Sequence, residues 1–314
     1  MKNTLKIGLV AMLLVATSAN ALNCKKPVLK NIIAVEPLWA DLTYLAADEL
    51  KGRKTGSEGN EMARQYIIKA FEQTGLQAFE PNYRHPFRFE RRISDIVGTN
   101  AIGWQLGSEF PDQYIVITAH FDHVGKRGRT IFNGADDNAS GVAALLAVAR
   151  KFKIQPPKHS IIFVATDAEE LGLHGAKAFV QAPPVSIDSI KYNMNLDMLS
   201  QSGRRHRLYL AGGRESPQLI PVINQSIEQA SVCMQAGHDG STSSYDRKRR
   251  INWRKSSDHF PFLKKGIPYL FLGVADHRYY HTGKDTIKRV NKPFYIGAVE
   301  TVWTTLNILD NFKG

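Results

Sequence analysis

The stretch Tyr114–Ala149 decides the fold, and it reads YIVITAHFDHVGKRGRTIFNGADDNASGVAALLAVA. It opens with a short apolar run, Tyr114–Ala119, which predicts a buried central strand of a parallel sheet. A polar turn with two adjacent carboxylates follows at Asn133–Gly141, and the apolar run Val142–Ala149 predicts a helix that continues to about Lys153. A strand, a polar turn and a helix in this order are typical of an α/β protein.

The turn itself admits two interpretations. Its glycines allow a tight bend and the close approach of a ligand, and Ser140 is a suitable N-cap for the following helix. One interpretation is an Asx-rich turn that only caps this helix. The other is a strained turn that presents a carboxylate, because the two oxygens of one carboxylate can bridge two metal ions. The rest of the sequence decides between them.

The remainder of the chain repeats the alternation of strands and helices. An extended segment is predicted at 79–92, strands at 96–104, 160–165, 190–196, 208–210 and 268–272, and helices at 38–52, 60–75, from about 176, 217–230, 258–265 and 294–311. No internal repeat and no low-complexity linker interrupts the pattern. We therefore predict a single α/β domain with a mostly parallel, mixed central sheet flanked by helices.

The first 21 residues have the pattern of a secretory signal peptide. Two lysines precede a mostly apolar run at 7–16, and Ala19-Asn20-Ala21 is a small-x-small cleavage site. We expect the domain to comprise residues 22–314 and the protein to be exported, to the periplasm or the medium. A lipoprotein anchor at Cys24 suits the preceding residues poorly. No later run reaches about 18 apolar residues, so no membrane span is expected.

The chain is basic, with a formal net charge of +12. Part of this charge lies in the run Arg247–Lys255 (RKRRINWRK), for which nucleic-acid binding is one interpretation. A basic surface loop is the preferred one, because no recognised nucleic-acid motif accompanies the run. We therefore expect no nucleic acid as the partner, and the oligomeric state stays open.

The chain has two cysteines, Cys24 and Cys233. In an exported protein they are expected to form one disulfide bond, the alternative being two separate thiols. Because no Cys-x-x-Cys occurs, the sequence argues against a thiolate zinc site and against a thiol redox site.

Acidic and imidazole side chains recur where the predicted strands end. His120, Glu169, Glu170 and Asp197 lie at or just past the carboxyl ends of buried strands, and His281 lies in the loop after the last strand. Ligands bind at this edge of open α/β sheets. A single histidine there is usually structural, and a Glu-Glu pair is usually a solvated turn. Their common location favours a shared site.

The residue types in this set indicate a metal site. Imidazole and carboxylate without thiolate suit zinc, with Co²⁺ or Mn²⁺ as possible substitutes. Asp122 is placed to accept the second imidazole N–H of His120 and so to fix its orientation. The adjacent pair Glu169-Glu170 suits one metal ligand and one general base. Ser140 has no His/Asp relay around it, which argues against a serine hydrolase.

Six motifs in order give the sequence a family resemblance. The motifs are AHFDHVG (Ala119–Gly125), NGADDNASG (Asn133–Gly141), ATDAEELGLHG (Ala165–Gly175), NLDM (Asn195–Met198), SDHFPFLKKGIP (Ser257–Pro268) and YYHTGKDT (Tyr279–Thr286). With these motifs the chain resembles the M28 family of di-zinc peptidases, in its aminopeptidase branch. They cover about residues 38–311. The resemblance implies the α/β/α fold of zinc exopeptidases and two Zn²⁺ ions.

The resemblance also implies a role for each candidate residue. His120 and Asp197 would bind the first metal, Glu170 and His281 the second, Asp136 would bridge both, and Glu169 would be the general base. Asp122, Asp137 and Asp258 would support the ligands from outside, with a cis peptide bond between Asp136 and Asp137. Some relatives have a substrate-contacting Tyr before the Ser-Asp-His motif, and here Arg254 or Ser257 takes its place. His123 and His259 admit a structural role.

The function expected from this resemblance is metal-assisted removal of N-terminal residues from peptides, with no covalent intermediate. A carboxypeptidase or dipeptidase on the same site is the first alternative, for which the basic loop could supply a clamp for the substrate carboxylate. A glutaminyl cyclase with one zinc is the second and is less favoured. A metal-stabilised binding protein without activity is the third, and the presence of Glu169 argues against it.

Overall fold

The computed structural model describes residues 27–79, 81–91, 94–201, 206–238 and 252–313. The strands are β1 (Arg84–Arg91), β2 (Ser94–Gln105), β3 (Phe110–His120), β4 (Gly125–Arg127), β5 (Thr130–Phe132), β6 (His159–Thr166), β7 (Ile190–Leu196), β8 (Leu208–Ala211), β9 (Met234–Ala236) and β10 (Tyr269–Gly273). The α-helices are α1 (Val35–Leu45), α2 (Glu58–Thr74), α3 (Gly141–Phe152), α4 (His174–Gln181), α5 (Ile220–Glu228), α6 (His259–Lys264) and α7 (Lys292–Asp310).

Eight of the strands form one mixed sheet in the order β1-β2-β6-β3-β7-β10-β8-β9. Its centre is parallel, since β3 pairs in parallel with β6 and β7, and β10 pairs in parallel with β7. Antiparallel pairs flank this centre on both sides, at β1–β2, β2–β6 and β8–β10. The predicted mixed, mostly parallel α/β sheet is therefore confirmed.

Helices cover both faces of the sheet. Along β3, Ile115 and Ile117 belong to a core shared with α1, α2, α3, α5 and α7, whereas Val116 faces a second core shared with α4 and α6. This alternation follows from the two-residue period of a strand. Because both faces are covered, the central strands are largely apolar, as their sequences predicted, and the buried polar side chains of Thr118 and Asn195 are hydrogen-bonded to each other.

Several predicted elements differ from the observed ones. The segment predicted as extended pairs with the next strand as the antiparallel hairpin β1–β2, and the small hairpin β4–β5 was not predicted. Ser140 makes no side-chain N-cap bond to α3, because its hydroxyl donates to the carbonyl oxygen of Asp136 at 2.7 Å. Among the described residues, no helix is both long and apolar enough to cross a membrane.

Cys233 is disulfide-bonded. Its predicted partner, Cys24, lies outside the described residues, as do the signal-peptide residues 1–21 and the basic residues 247–251.

Candidate metal centre

The candidate centre lies at the carboxyl edge of the central parallel strands. β6, β3 and β7 are neighbours, and His120 at the end of β3 is in register with Thr166 at the end of β6. Glu169 and Glu170 follow β6 within four residues, and Asp197 directly follows β7. Because these strands run in the same direction, their polar end residues meet at one edge, as predicted from their positions in the sequence.

Two groups of potential ligands form at this edge. The first cluster consists of His120, Glu169 and Asp197, and the second cluster of His123, Asp137, Glu170 and His281. Within each cluster, one ligand atom per residue lies within 4.8 Å of the others. The side chain of His281 is 34% exposed, whereas that of His120 is buried, so the second cluster opens to solvent at His281.

The carboxylate of Asp137 lies between the two clusters. Its Oδ1 is 3.3 Å from Nε2 of His120, and its Oδ2 is 2.9 Å from Nε2 of His281. Each of these imidazoles also faces a second carboxylate: His120 Nε2 is 3.4 Å from Oδ1 of Asp197, and His281 Nε2 is 3.0 Å from Oε1 of Glu170. One side chain thus connects both clusters, which is the geometry of a bridging ligand.

The sequence predicted the bridging position at Asp136, but in the structure the carboxylate that lies between the two clusters is that of Asp137. The Oδ1 atom of Asp136 accepts hydrogen bonds from the backbone N–H of Ser200 at 2.6 Å and from that of Gln201 at 3.1 Å. Its Oδ2 accepts one from Nε2 of His277 at 2.9 Å. Asp136 is therefore fully occupied in fixing the turn, and Asp137, predicted as a supporting residue, faces the clusters.

The backbone of the turn explains why the two aspartates point to different places. The backbone N–H groups of Asp136 and Asp137 both donate to the carboxylate of Asp285, at 3.1 Å. Gly134, before them, has a φ of +58°, which favours glycine. The cis peptide bond lies between Asp137 and Asn138, so its prediction between Asp136 and Asp137 was wrong.

Several donor atoms of the clusters lie close to others without an aligned hydrogen bond. In the described part of the chain, buried atoms without a hydrogen-bond partner include Nδ1 of His123, Oδ2 of Asp137, Oε1 of Glu170 and Oδ1 of Asp197. By contrast, the pair of His277 and Asp136 next to them is hydrogen-bonded. Buried polar atoms are normally paired. Donor atoms that face common points instead fit divalent cations, and the imidazole and carboxylate set suits zinc.

The excess of carboxylates shifts the pKa values of the site. Burial raises the pKa of Glu169 well above its ordinary range, and the charges of Glu170 and Asp258 add to this effect, whereas His120 opposes it. Burial disfavours the charged form of His281, yet the Asp137 and Glu170 carboxylates raise its pKa to about 10. The site therefore attracts positive charge, whether protons or metal ions.

Asp122 holds the two clusters together in a way that differs from the prediction. Nδ1 of His120 contacts the backbone carbonyl oxygen of Asp122 at 3.1 Å, while the Asp122 carboxylate is 3.8 Å away. That carboxylate instead accepts the backbone N–H groups of Glu169 at 3.0 Å and of Glu170 at 3.3 Å. One residue thus orients the imidazole through its backbone and the Glu-Glu turn through its side chain.

The remaining predicted residues lie outside both clusters. Asp258 is buried and accepts a hydrogen bond from the hydroxyl of Thr166, and burial raises its pKa to about 6. Ser257 is fully buried and accepts a hydrogen bond from Nδ2 of Asn195 at 2.8 Å. Arg254 pairs with Glu215 at 2.7 Å. His259 packs between the rings of Tyr269 and Phe271.

Arg53 connects the loops of the site, and sequence analysis did not single it out. The residue is 1% exposed, and its guanidinium donates to the carbonyl oxygens of Leu45, Phe121, Asn133 and Gly134. Phe121 belongs to the loop of the first cluster, and the two last-named residues begin the turn of Asp137. In the sequence, this arginine lies in a glycine-containing stretch, KGRKTG, and that pattern alone does not predict a buried side chain or its partners.

We expect Arg53→Met to lower the free energy of unfolding by several kcal/mol, because each buried carbonyl left without a donor costs about 1–3 kcal/mol. Urea denaturation of the metal-free protein measures this. Lys54→Met, at the exposed neighbouring position, is the matched control and should change the free energy by less than about 0.5 kcal/mol. Equal effects of the two substitutions would contradict the role given to Arg53.

Comparison with known proteins identifies the family. The sequence profile of peptidase family M28 matches residues 100–306, about two thirds of the chain. The chain belongs to peptidase family M28. It is therefore a hydrolase of a zinc metallopeptidase family, and the family resemblance predicted from its motifs is confirmed.

Three similar proteins place this M28 chain among its relatives. The aminopeptidase YwaD of Bacillus subtilis is 28% identical over 186 residues, which are 57% of this chain and 37% of that protein. The structure of BSAP, a zinc aminopeptidase from Bacillus subtilis, superposes with a TM-score of 0.67 at 16% identity, over 87% of this chain and 94% of that one. Glutaminyl cyclase from Porphyromonas gingivalis superposes with a TM-score of 0.69 at 17% identity, over 88% and 98%.

These similarities do not all support the same conclusion. At 16–17% identity, the two solved structures establish the shared fold. The chain also spans only 28% to 52% of the length of three curated relatives that it matches. The choice of reaction within the family therefore depends on the site itself.

Proposed function

We propose that this M28 peptidase is a two-zinc aminopeptidase that removes residues from the N-terminus of peptides. One observation carries the proposal: the Asp137 carboxylate lies between two clusters, 3.3 Å from Nε2 of His120 and 2.9 Å from Nε2 of His281. A carboxylate in this position suits two metal ions that share a ligand. The two-cluster arrangement also favours a peptidase over the one-zinc site expected of a glutaminyl cyclase.

The proposed ligand set uses the atoms that face each other across the clusters. His120, Asp137 and Asp197 would hold the first zinc ion, and Asp137, Glu170 and His281 the second, with Co²⁺ or Mn²⁺ as substitutes. When bound, zinc supplies a Lewis acid that polarises the scissile carbonyl and lowers the pKa of water.

Glu169 is the proposed general base. It lies in the first cluster with His120 and Asp197, beside the place where the substrate carbonyl would be held. Its carboxylate would accept a proton from the attacking water as the new C–O bond forms, and would return it to the amine nitrogen as the C–N bond breaks.

The choice between a free α-amine and a free α-carboxylate in the substrate depends on the charged groups near the site. The carboxylates of Asp137, Glu169, Glu170 and Asp197 lie together at the sheet edge. A carboxypeptidase or dipeptidase requires a cationic clamp, and Arg254, one residue of the basic loop that could supply it, is paired with Glu215 at 2.7 Å. The pairing of Arg254 supports the aminopeptidase alternative, and the signal-peptide pattern supports export as part of the proposal.

We expect the mature protein to release p-nitroaniline from a panel of aminoacyl-p-nitroanilides. A chelator should abolish the release and added zinc should restore it, because the proposed hydrolysis requires a metal ion to polarise the scissile carbonyl. The panel reports the side-chain preference at the same time.

The matched control is the same substrate with an N-acetyl group, which an aminopeptidase should reject. Hydrolysis of blocked peptides from their C-terminus, without release from any free-amine substrate, would replace the proposal by the carboxypeptidase or dipeptidase alternative. Formation of pyroglutamate by a protein with one zinc per chain would replace it by the cyclase alternative.

A further inference from the structure

His123 is a buried histidine of the second cluster that the proposed mechanism does not use. Its side chain is fully buried, and neither ring nitrogen has a hydrogen-bond partner among the described residues. Buried imidazoles normally have at least one partner. Two unpaired ring nitrogens beside two carboxylates therefore require an explanation.

The position of the ring supplies this explanation. Nδ1 of His123 is 2.7 Å from Oε1 of Glu170 and 3.7 Å from Oδ2 of Asp137. At 2.7 Å a hydrogen bond would be expected, yet neither Nδ1 nor Oε1 is aligned for one. A cation between two donor atoms this close would give both of them a partner.

Four donor atoms lie close together in the second cluster. Nε2 of His281 is 2.9 Å from Oδ2 of Asp137 and 3.0 Å from Oε1 of Glu170, and His123 adds the separations of 2.7 and 3.7 Å. Zinc binds nitrogen and oxygen ligands at about 2.0–2.2 Å, so tetrahedral ligands lie roughly 3.3–3.6 Å apart. Three of these four separations are shorter than that spacing and one is slightly longer, so the donors would hold zinc after a small outward movement.

The turn that carries Asp137 also fixes the His123 ring. A Cβ on Gly134 would lie 2.6 Å from Cδ2 and 2.7 Å from Cγ of His123, so the glycine backbone packs directly against the ring. The carbonyl oxygen of Arg53 accepts the backbone N–H of His123 at 3.4 Å. The imidazole is thus held in place from the backbone side and from the turn.

We propose that His123 is a fourth protein ligand of the second zinc site, through Nδ1. The second site then has the closed set His123, Asp137, Glu170 and His281, while the first keeps an open position for water and substrate. Closed four-ligand sites are typical of structural zinc, and three-ligand sites of catalytic zinc. The second site therefore binds zinc more tightly than the first. This inference rests on the two-zinc function proposed above.

The first experiment counts zinc per chain after dialysis against increasing chelator concentrations. Wild type should lose one zinc ion early and retain the other over a wide range. His123→Ala should lose both in the same low range, with the affinity of the second site reduced by at least about 100-fold, more than the loss of an outer partner of a ligand causes. Circular dichroism of the metal-free forms checks that both chains are folded.

The second experiment separates a ligand from a residue that only orients Glu170. In His123→Cys loaded with Co²⁺, a cysteine that binds the metal produces a thiolate-to-cobalt absorption band in the near ultraviolet. Val124→Cys, at the next position of the same loop, is the matched control and should not produce it.

The outcomes distinguish the inference from the function on which it rests. Two zinc ions in wild type, unchanged retention in His123→Ala and no thiolate band in His123→Cys would overturn the role of His123 and leave the aminopeptidase proposal standing. A wild-type chain that retains no zinc in any condition would overturn both.

Discussion

Replacement of Glu169 by glutamine is expected to lower kcat about 100- to 10,000-fold while leaving two zinc ions per chain, because it removes a proton acceptor and no proposed metal ligand. Glutamine has the shape of glutamate but does not accept a proton. The backbone N–H of Glu169 that binds Asp122 at 3.0 Å is also unaffected by the substitution. Kinetics with an aminoacyl-p-nitroanilide and metal analysis of the same samples measure the two effects.

Glu170→Gln is the matched control, since it is the same change at the adjacent position. Glu170 faces Nε2 of His281 at 3.0 Å in the second cluster, and its loss should reduce zinc content as well as activity. Added zinc should partly restore Glu170→Gln and should not restore Glu169→Gln. If Glu169→Gln keeps the wild-type rate, or loses its zinc, the general base has been assigned to the wrong residue.

The outline of the fold could be predicted because it depends on local patterns. The apolar runs of β3, β6, β7 and β10 are bounded by polar residues, and such runs mark buried parallel strands. Parallel strands that are neighbours also place their end residues together. The meeting of His120 with Asp197, whose atoms lie 3.4 Å apart, therefore followed from the sequence without knowledge of any contact.

The assignment within the turn could not be predicted in the same way. Asp136 and Asp137 are identical and adjacent, so residue type and spacing do not distinguish them. Contacts from distant residues decide between them: Ser200 binds the carboxylate of Asp136, and Asp285 binds the backbone of both. Such contacts across 64 to 149 residues of chain are visible only in the folded molecule.

Arg53 and His277 were missed for a related reason. Arg53 donates to backbone carbonyl oxygens. Because every residue has a carbonyl oxygen, the sequence does not show which of them Arg53 binds. His277 lies four residues before His281, and only its 2.9 Å hydrogen bond to Asp136 shows that it supports the turn instead of belonging to a cluster. Groups that support a site are thus harder to predict than groups that line its edge.

Asp137 is the residue at the proposed bridging position between the two zinc sites. Asp137→Asn is expected to lower the zinc content from two ions per chain to one or none and to abolish chelator-sensitive hydrolysis. The reason is geometric: both oxygens of Asp137 face an imidazole, at 3.3 Å and 2.9 Å, and an amide offers one neutral oxygen where two charged ones stood. Metal analysis after dialysis against zinc-free buffer measures the loss directly.

Asp136→Asn makes the same chemical change one residue earlier, and we expect it to lower the stability of the fold but not the zinc content. Asp136 accepts hydrogen bonds from Ser200 at 2.6 Å and from His277 at 2.9 Å, so its replacement should lower the free energy of unfolding by roughly 1–3 kcal/mol. The variant should still hold two zinc ions per chain when it is folded. If Asp137→Asn retains both ions and Asp136→Asn loses them, the bridging ligand is Asp136, as the sequence predicted. Because the two side chains are chemically identical, a difference between the two variants can arise only from the direction in which the turn points them.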